Sequence, residues 1–192
     1  MFEIVDAYLL KKRITNKYMN GGAGKKQTAS LLNKTLEHIV SLLEKNNITN
    51  WFLGYGTLLG IVRNNSCIKN DDDIDIIINY KYKDVLRQID KENKFKITKQ
   101  KGNQFLRFEH DDYAPIDFYL SIFKDDTAMD KWEKTKWTNI LPVIQKKWRG
   151  VVLQIPNHHI SNLKNRYGST WKTPRNYKGK HSKTLKKSLT YI

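Results

Sequence analysis

The sequence predicts a single α+β domain, and three observations carry that prediction. A chain of 192 residues, 39% hydrophobic and 11% aromatic, can bury one core without disulfides or structural metal. Leu32, Leu36, Ile39 and Leu43 step by four, three and four residues, the spacing of one helix face. From Asp73 the pattern alternates instead, with Asp73, Asp75 and Ile77 on one side of a strand and Ile74, Ile76 and Ile78 on the other. No repeat, low-complexity block or linker separates the helical from the strand-like stretches.

Residues 1–24 carry some apolar periodicity and end in the Gly21-Gly22-Ala23-Gly24 break, so they form an N-terminal segment ahead of a domain over 25–168. The leucine stripe predicts a helix over 27–45. Residues 51–54 are short, apolar and turn-bounded, which predicts a strand. Gly54-Tyr55-Gly56-Thr57 then opens a short helix running to Arg63, and 64–70 is a polar loop leading into the aspartate strand. Tyr82, Val85, Leu86 and Ile89 predict a helix over 81–91. Two strands follow, 95–99 and 104–110, around the Lys101-Gly102-Asn103 turn, the second alternating as Phe105, Arg107, Glu109. A strand over 116–123 contains Asp117 among Ile116, Phe118 and Tyr119. Trp132, Trp137 and Trp148 fall in a basic region read as irregular. A strand over 150–155 and a helix over 158–167, stopped by Gly168, close the domain. His158 and His159 are adjacent, cannot share a helix face, and are read as cap or surface residues. Residues 169–192 form a lysine-rich, extended tail.

The formal net charge of +16 favours anionic partners: nucleic acid, nucleotide phosphates, or an anionic membrane or glycan surface. A general Lys and Asn bias is the plain alternative. The lone Cys67 excludes an intramolecular disulfide and any cysteine-based zinc site, and fits a reducing compartment. No apolar run approaches the roughly 20 residues that span a bilayer, and Glu3 and Asp6 stand where a signal peptide would be basic. A soluble, cytoplasmic protein is expected.

Four of the 19 acidic side chains fall within residues 71–75. Two carboxylates about 4 Å apart repel by roughly 4 kcal/mol at an effective dielectric near 20, so the cluster must be solvated or neutralised by a cation. An acidic stretch running into an isoleucine-rich strand points to the second case. Hard oxygen ligands at a strand edge suit Mg²⁺ or Mn²⁺. Asp117 fits the same reading, because buried carboxylates are rare unless paired or metal-bound. The strand, glycine turn and helix start at Gly56 and Thr57 aim backbone N–H groups outward, a ready phosphate site.

These residues resemble a known family. Gly56-Thr57-Leu58-Leu59-Gly60-Ile61-Val62-Arg63, then Ile68 and Asp71-Asp72-Asp73-Ile74-Asp75, are similar to the LicD family of phosphorylcholine transferases and fukutin-related protein. Ile116-Asp117-Phe118 stands where that family has a strand aspartate. Trp148-Arg149-Gly150, Pro156, Leu163, Tyr167-Gly168, Trp171 and Thr173-Pro174 resemble its closing motif. Lys69-Asn70 replaces a frequent Pro-Trp, and the cysteine-rich zinc insertion of fukutin-related protein is absent.

The resemblance implies a nucleotidyltransferase-like mixed β-sheet flanked by helices. It also implies transfer of a phosphorylated small alcohol, such as choline or ribitol, from a CDP-linked donor to a hydroxyl of a carbohydrate acceptor. Asp73, Asp75 and Asp117, with Asp71 beside them, are then the metal ligands, Asp117 doubling as base for the acceptor hydroxyl. A second metal would sit near the same trio. Gly56 and Thr57 bind donor phosphate, and Arg63 stabilises developing charge unless it is a plain surface arginine. His181 in the basic tail is a further phosphate contact to consider, and Asp72 is read as structural. Two alternatives stay open: a nucleotidyltransferase moving a nucleoside monophosphate to RNA, protein or a small molecule, and a non-catalytic basic binding module.

Overall fold

The computed structural model describes residues 25–174. The segment 1–24, most of the predicted tail and His181 lie outside the described residues. The first helix, α1 (Ala29–Lys45), is capped by Thr28, whose hydroxyl accepts from the Leu31 amide at 3.1 Å. Its predicted stripe of Leu32, Leu36, Ile39 and Leu43 is fully buried. Next come β1 (Trp51–Leu53), α2 (Tyr55–Asn64), β2 (Ile74–Asn79), a 3₁₀ turn and α3 (Lys83–Glu92). Then follow β3 (Lys96–Lys101), β4 (Phe105–His110), β5 (Tyr113–Lys124), β6 (Thr127–Asp130), β7 (Thr135–Thr138), β8 (Ile144–Trp148), β9 (Val151–Ile155) and α4 (His159–Tyr167).

The main sheet runs β1-β2-β5-β4-β3 and is mixed, with β2 and β5 parallel and the other neighbours antiparallel. A parallel pair needs a long crossover, and α3 with the β3–β4 hairpin supplies it. The far end of β5 leaves this row to pair with β6, which pairs with β7. Helix α1 packs along β5 and β9, and α2 packs on β2.

The tryptophan region is not irregular. Trp137 lies in β7 and Trp148 in β8, both buried. In β7 only Trp137 of the four residues is buried, too short a pattern to register as alternation. The β8–β9 hairpin turns through Arg149 and Gly150, both at positive φ (48° and 85°), as a two-residue hairpin turn requires. The Trp148 indole N–H donates to the Asn65 carbonyl at 3.0 Å, fastening this hairpin to the end of α2. Trp171 is buried as well, so packing continues past the boundary expected at residue 168.

Candidate active site

The sheet register assembles the site. Asp75 on β2 pairs with Asp117 on β5, and Asp117 pairs with Arg107 on β4. Residues directly opposite on neighbouring strands project from the same face, so two carboxylates and a guanidinium stand in one row. Asp73, just before β2, joins them. The Arg107 Nε donates to Asp117 Oδ1 at 2.6 Å, and Nη2 donates to Asp117 Oδ2 at 3.2 Å and to Asp73 Oδ2. Asp75 and Asp117 are 6% and 3% exposed. Three carboxylates at such depth would repel strongly without that cation.

Asp75 has a different set of partners. Its Oδ2 accepts from the Gly56 amide at 3.0 Å and the Thr57 amide at 3.4 Å, while its own amide donates to Thr57 Oγ1 at 2.9 Å. The Tyr119 hydroxyl donates to Asp75 Oδ1 at 3.0 Å. The start of α2 is therefore fixed against the first residues of β2, with the positive end of the helix on a carboxylate. Asp71 lies so close to Gly56 that a Cβ there would run into its carboxylate oxygen. A side chain at 56 could not coexist with this arrangement of acids.

Burial pushes the Asp73 carboxyl well above the usual range, reinforced by Asp75, Asp117 and Asp72 and opposed by Arg107. Burial, then Asp72, pushes Asp71 up to about 6. Burial works against the Arg107 cation, but Asp117 and Asp73 outweigh it and hold the guanidinium protonated. The Tyr119 phenol is raised by burial and then by Asp75, so it stays a proton donor to that carboxylate.

The structure brings together Asp73, Asp75 and Asp117, whose carboxylate oxygens come within 4.8 Å of one another; Asp71 and Asp72 form a second such group with Asp73. This cluster of oxygens could hold a hard divalent ion. The Asp72 amide donates to Asp71 Oδ1 at 3.2 Å, shaping the loop. Gly56 and Thr57 stand beside the acids, but their amides point at Asp75 rather than outward, which alters the open phosphate site expected of them. Arg63 is not brought to the carboxylates. It sits in the last turn of α2, about 10 Å along the helix axis from Gly56 at 1.5 Å per residue, and its Nε donates to Asn64 Oδ1 at 3.2 Å. Sequence reasoning missed Arg107 and Tyr119. The one signal for Arg107 was its place between Phe105 and Glu109 on an alternating strand; nothing in the sequence paired it with Asp117.

The family model for the LicD/FKTN/FKRP nucleotidyltransferase domain matches residues 47–176. The chain belongs to the LicD/FKTN/FKRP family. The family match spans α2, the acidic strand, β5 and the whole closing motif, in which Trp148, Leu163 and Trp171 are buried and so act as framework. No match was found among curated proteins. Among solved structures, this LicD-family chain is similar to the lincosamide antibiotic adenylyltransferase LnuA in its lincomycin-bound form. That likeness has 16% identity and a TM-score of 0.51, over 81% of this chain and 92% of that one. It is also similar to the solution structure of the antibiotic-resistance factor ANT(2'')-Ia, at 13% identity and a TM-score of 0.57, over 85% of each chain. At these identities the likeness shows the nucleotidyltransferase fold. The family match and the fold together make the chain a transferase. Among the described residues, no helix is long and apolar enough to cross a membrane.

Proposed function

We propose that this LicD-family chain transfers a phosphorylated small alcohol from a CDP-linked donor to a hydroxyl of a carbohydrate. The acceptor oxygen bonds to the phosphorus that carries the alcohol, the bond from that phosphorus to the bridging oxygen breaks, and CMP leaves with the electron pair. The acceptor proton passes to water or to a site carboxylate. The observation that carries this reading is the convergence of Asp75 and Asp117 from two parallel strands with Asp73 from just before the first, inside the stretch that matches the family.

Asp73, Asp75 and Asp117, with Asp71 alongside, would hold Mg²⁺ or Mn²⁺. Such an ion, when bound, neutralises charge on the donor diphosphate. The chain's own residues then have positioning work to do, since transfer at phosphorus needs alignment and charge neutralisation more than covalent help. Tyr119 and the amides of Gly56 and Thr57 fix the Asp75 carboxylate. The base role expected of Asp117 fits its surroundings poorly, because a carboxylate gripped at both oxygens by a guanidinium is a weak base.

A second reading is nucleotidyl transfer, in which the acceptor attacks the α-phosphorus of a nucleoside triphosphate and pyrophosphate leaves. The net charge of +16 favours an anionic substrate in either case. One incubation separates the two. The protein with Mg²⁺, a panel of CDP-alcohols or nucleoside triphosphates, and candidate sugars should release CMP from a CDP-alcohol. Pyrophosphate from a triphosphate, with no CMP from any CDP-alcohol, would replace the first reading by the second.

A further inference from the structure

We propose that Arg107 is the resident counter-cation of this site: it takes the position between Asp73 and Asp117 that a second divalent ion would need, so that the chain holds one ion and not two. The inference rests on the metal reading of the acidic cluster and adds to it the number of ions and the residue that sets it.

Three features carry it. The guanidinium is placed by the sheet itself, since Arg107 pairs with Asp117 in the β4–β5 register and its Cα position is fixed by strands on both sides. Its contacts use both oxygens of Asp117 and one of Asp73, so the planar fork spans the space between them. The side chain is 19% exposed, so most of it is out of solvent.

Charge within the inner trio is consistent with those contacts. Three carboxylates less one guanidinium leave two negative charges, the charge of one divalent ion, with Asp71 a further carboxylate beside them. A second ion at the trio would have to compete with Arg107 for Asp73 and Asp117. A carboxylate has about four lone-pair directions, so Asp117 can serve Arg107 and an ion at once. Arg107 is thus a positioning residue. It ties Asp73 to Asp117, and its permanent charge would do part of the neutralising work of a metal without dissociating.

The test counts Mn²⁺ bound per chain, from the electron paramagnetic resonance signal of the free ion, on wild type, Arg107→Gln and Asp75→Asn. The expected result is one Mn²⁺ on wild type and a second Mn²⁺, or at least ten-fold tighter binding, on Arg107→Gln. Two saturable ions on wild type, or an unchanged count and affinity on Arg107→Gln, would overturn the inference while leaving the metal reading in place. No saturable Mn²⁺ on wild type, or full binding retained by Asp75→Asn, removes the metal reading and the inference with it. Circular dichroism checks that Arg107→Gln folds. Should it not, the double variant Arg107→Gln/Asp117→Asn replaces it, because the positive charge lost at 107 is then matched by the negative charge lost at 117. That variant, with the same charge balance as wild type, should again bind one ion; two ions, or none, would overturn the proposal.

Discussion

Asp75 does two jobs with one side chain, and they can be pulled apart. As a helix cap it accepts from the Gly56 and Thr57 amides; as a charge it belongs to the acidic trio. Asparagine keeps an oxygen for the amides but turns an NH₂ towards the buried Tyr119 hydroxyl, so Asp75→Asn should lose about 1–2 kcal/mol of stability. Loss of the charge should lower transfer by roughly 10²–10³-fold, the scale seen when one preorganised electrostatic group is removed from an active site. Thermal unfolding and CMP release measured on one preparation check both halves. Wild-type turnover in a folded Asp75→Asn would take that aspartate out of the chemistry. Here the sequence was informative, because an acidic cluster entering an apolar strand is visible in the string. The guanidinium that neutralises it was not, because Arg107 lies 34 residues from Asp73.

Helix α2 links the site to the loop before it. At Gly60 a Cβ would meet the Ser66 carbonyl oxygen at 2.6 Å and Ile68 at 3.1 Å, a collision with backbone rather than with a pliable side chain. Gly60→Ala should therefore cost about 1–3 kcal/mol, as overpacking does, lowering the Tm by several degrees. The same loop runs on to Asp71, so Mn²⁺ affinity should fall together with the Tm. A Tm equal to that of wild type would show that the helix and loop can separate without cost. The element was readable from its glycines and apolar residues. The close approach that makes Gly60 irreplaceable belongs to the packing of 66–68 against the helix, which no local pattern encodes.

Across the molecule, a buried polar network joins α2, the β6–β7 hairpin and α4. The Tyr55 hydroxyl donates to Asp130 Oδ2, and Asp130 Oδ1 accepts from the Trp132 amide at 2.8 Å. The Arg166 guanidinium lies 4.0 Å from the centre of the Tyr55 ring and reaches Glu133 at 3.9 Å. Burial is the main cause that raises the Asp130 carboxyl from 3.8 to about 6, so the folded chain binds that proton more tightly than the unfolded chain does. Its contribution to stability is full below pH about 4, declines as the pH rises towards about 6, and is level above that. At 1.36 kcal/mol for each unit the decline is on the order of 3 kcal/mol. Asp130→Asn cannot titrate, so the stability difference between it and wild type, from urea unfolding at pH 4 to pH 7, should change across this window in favour of the variant. A difference that stays constant with pH would mean that Asp130 titrates alike in both states.

Sequence alone fixed the class of fold, most of the helices and strands, the acidic strand and the family, because each rests on local periodicity or on residues close together along the chain. Folding in three dimensions settled which side chains meet. The parallel register of β2 on β5 sets Asp75 beside Asp117, and the antiparallel return of β4 delivers Arg107 to both Asp117 and Asp73. It also turned the Gly56 and Thr57 amides onto Asp75 and left Arg63 at the far end of its helix. Strand register is a property of the assembled sheet: a slip of one residue would turn each of these side chains to the opposite face, and nothing short of the packed core selects between the two.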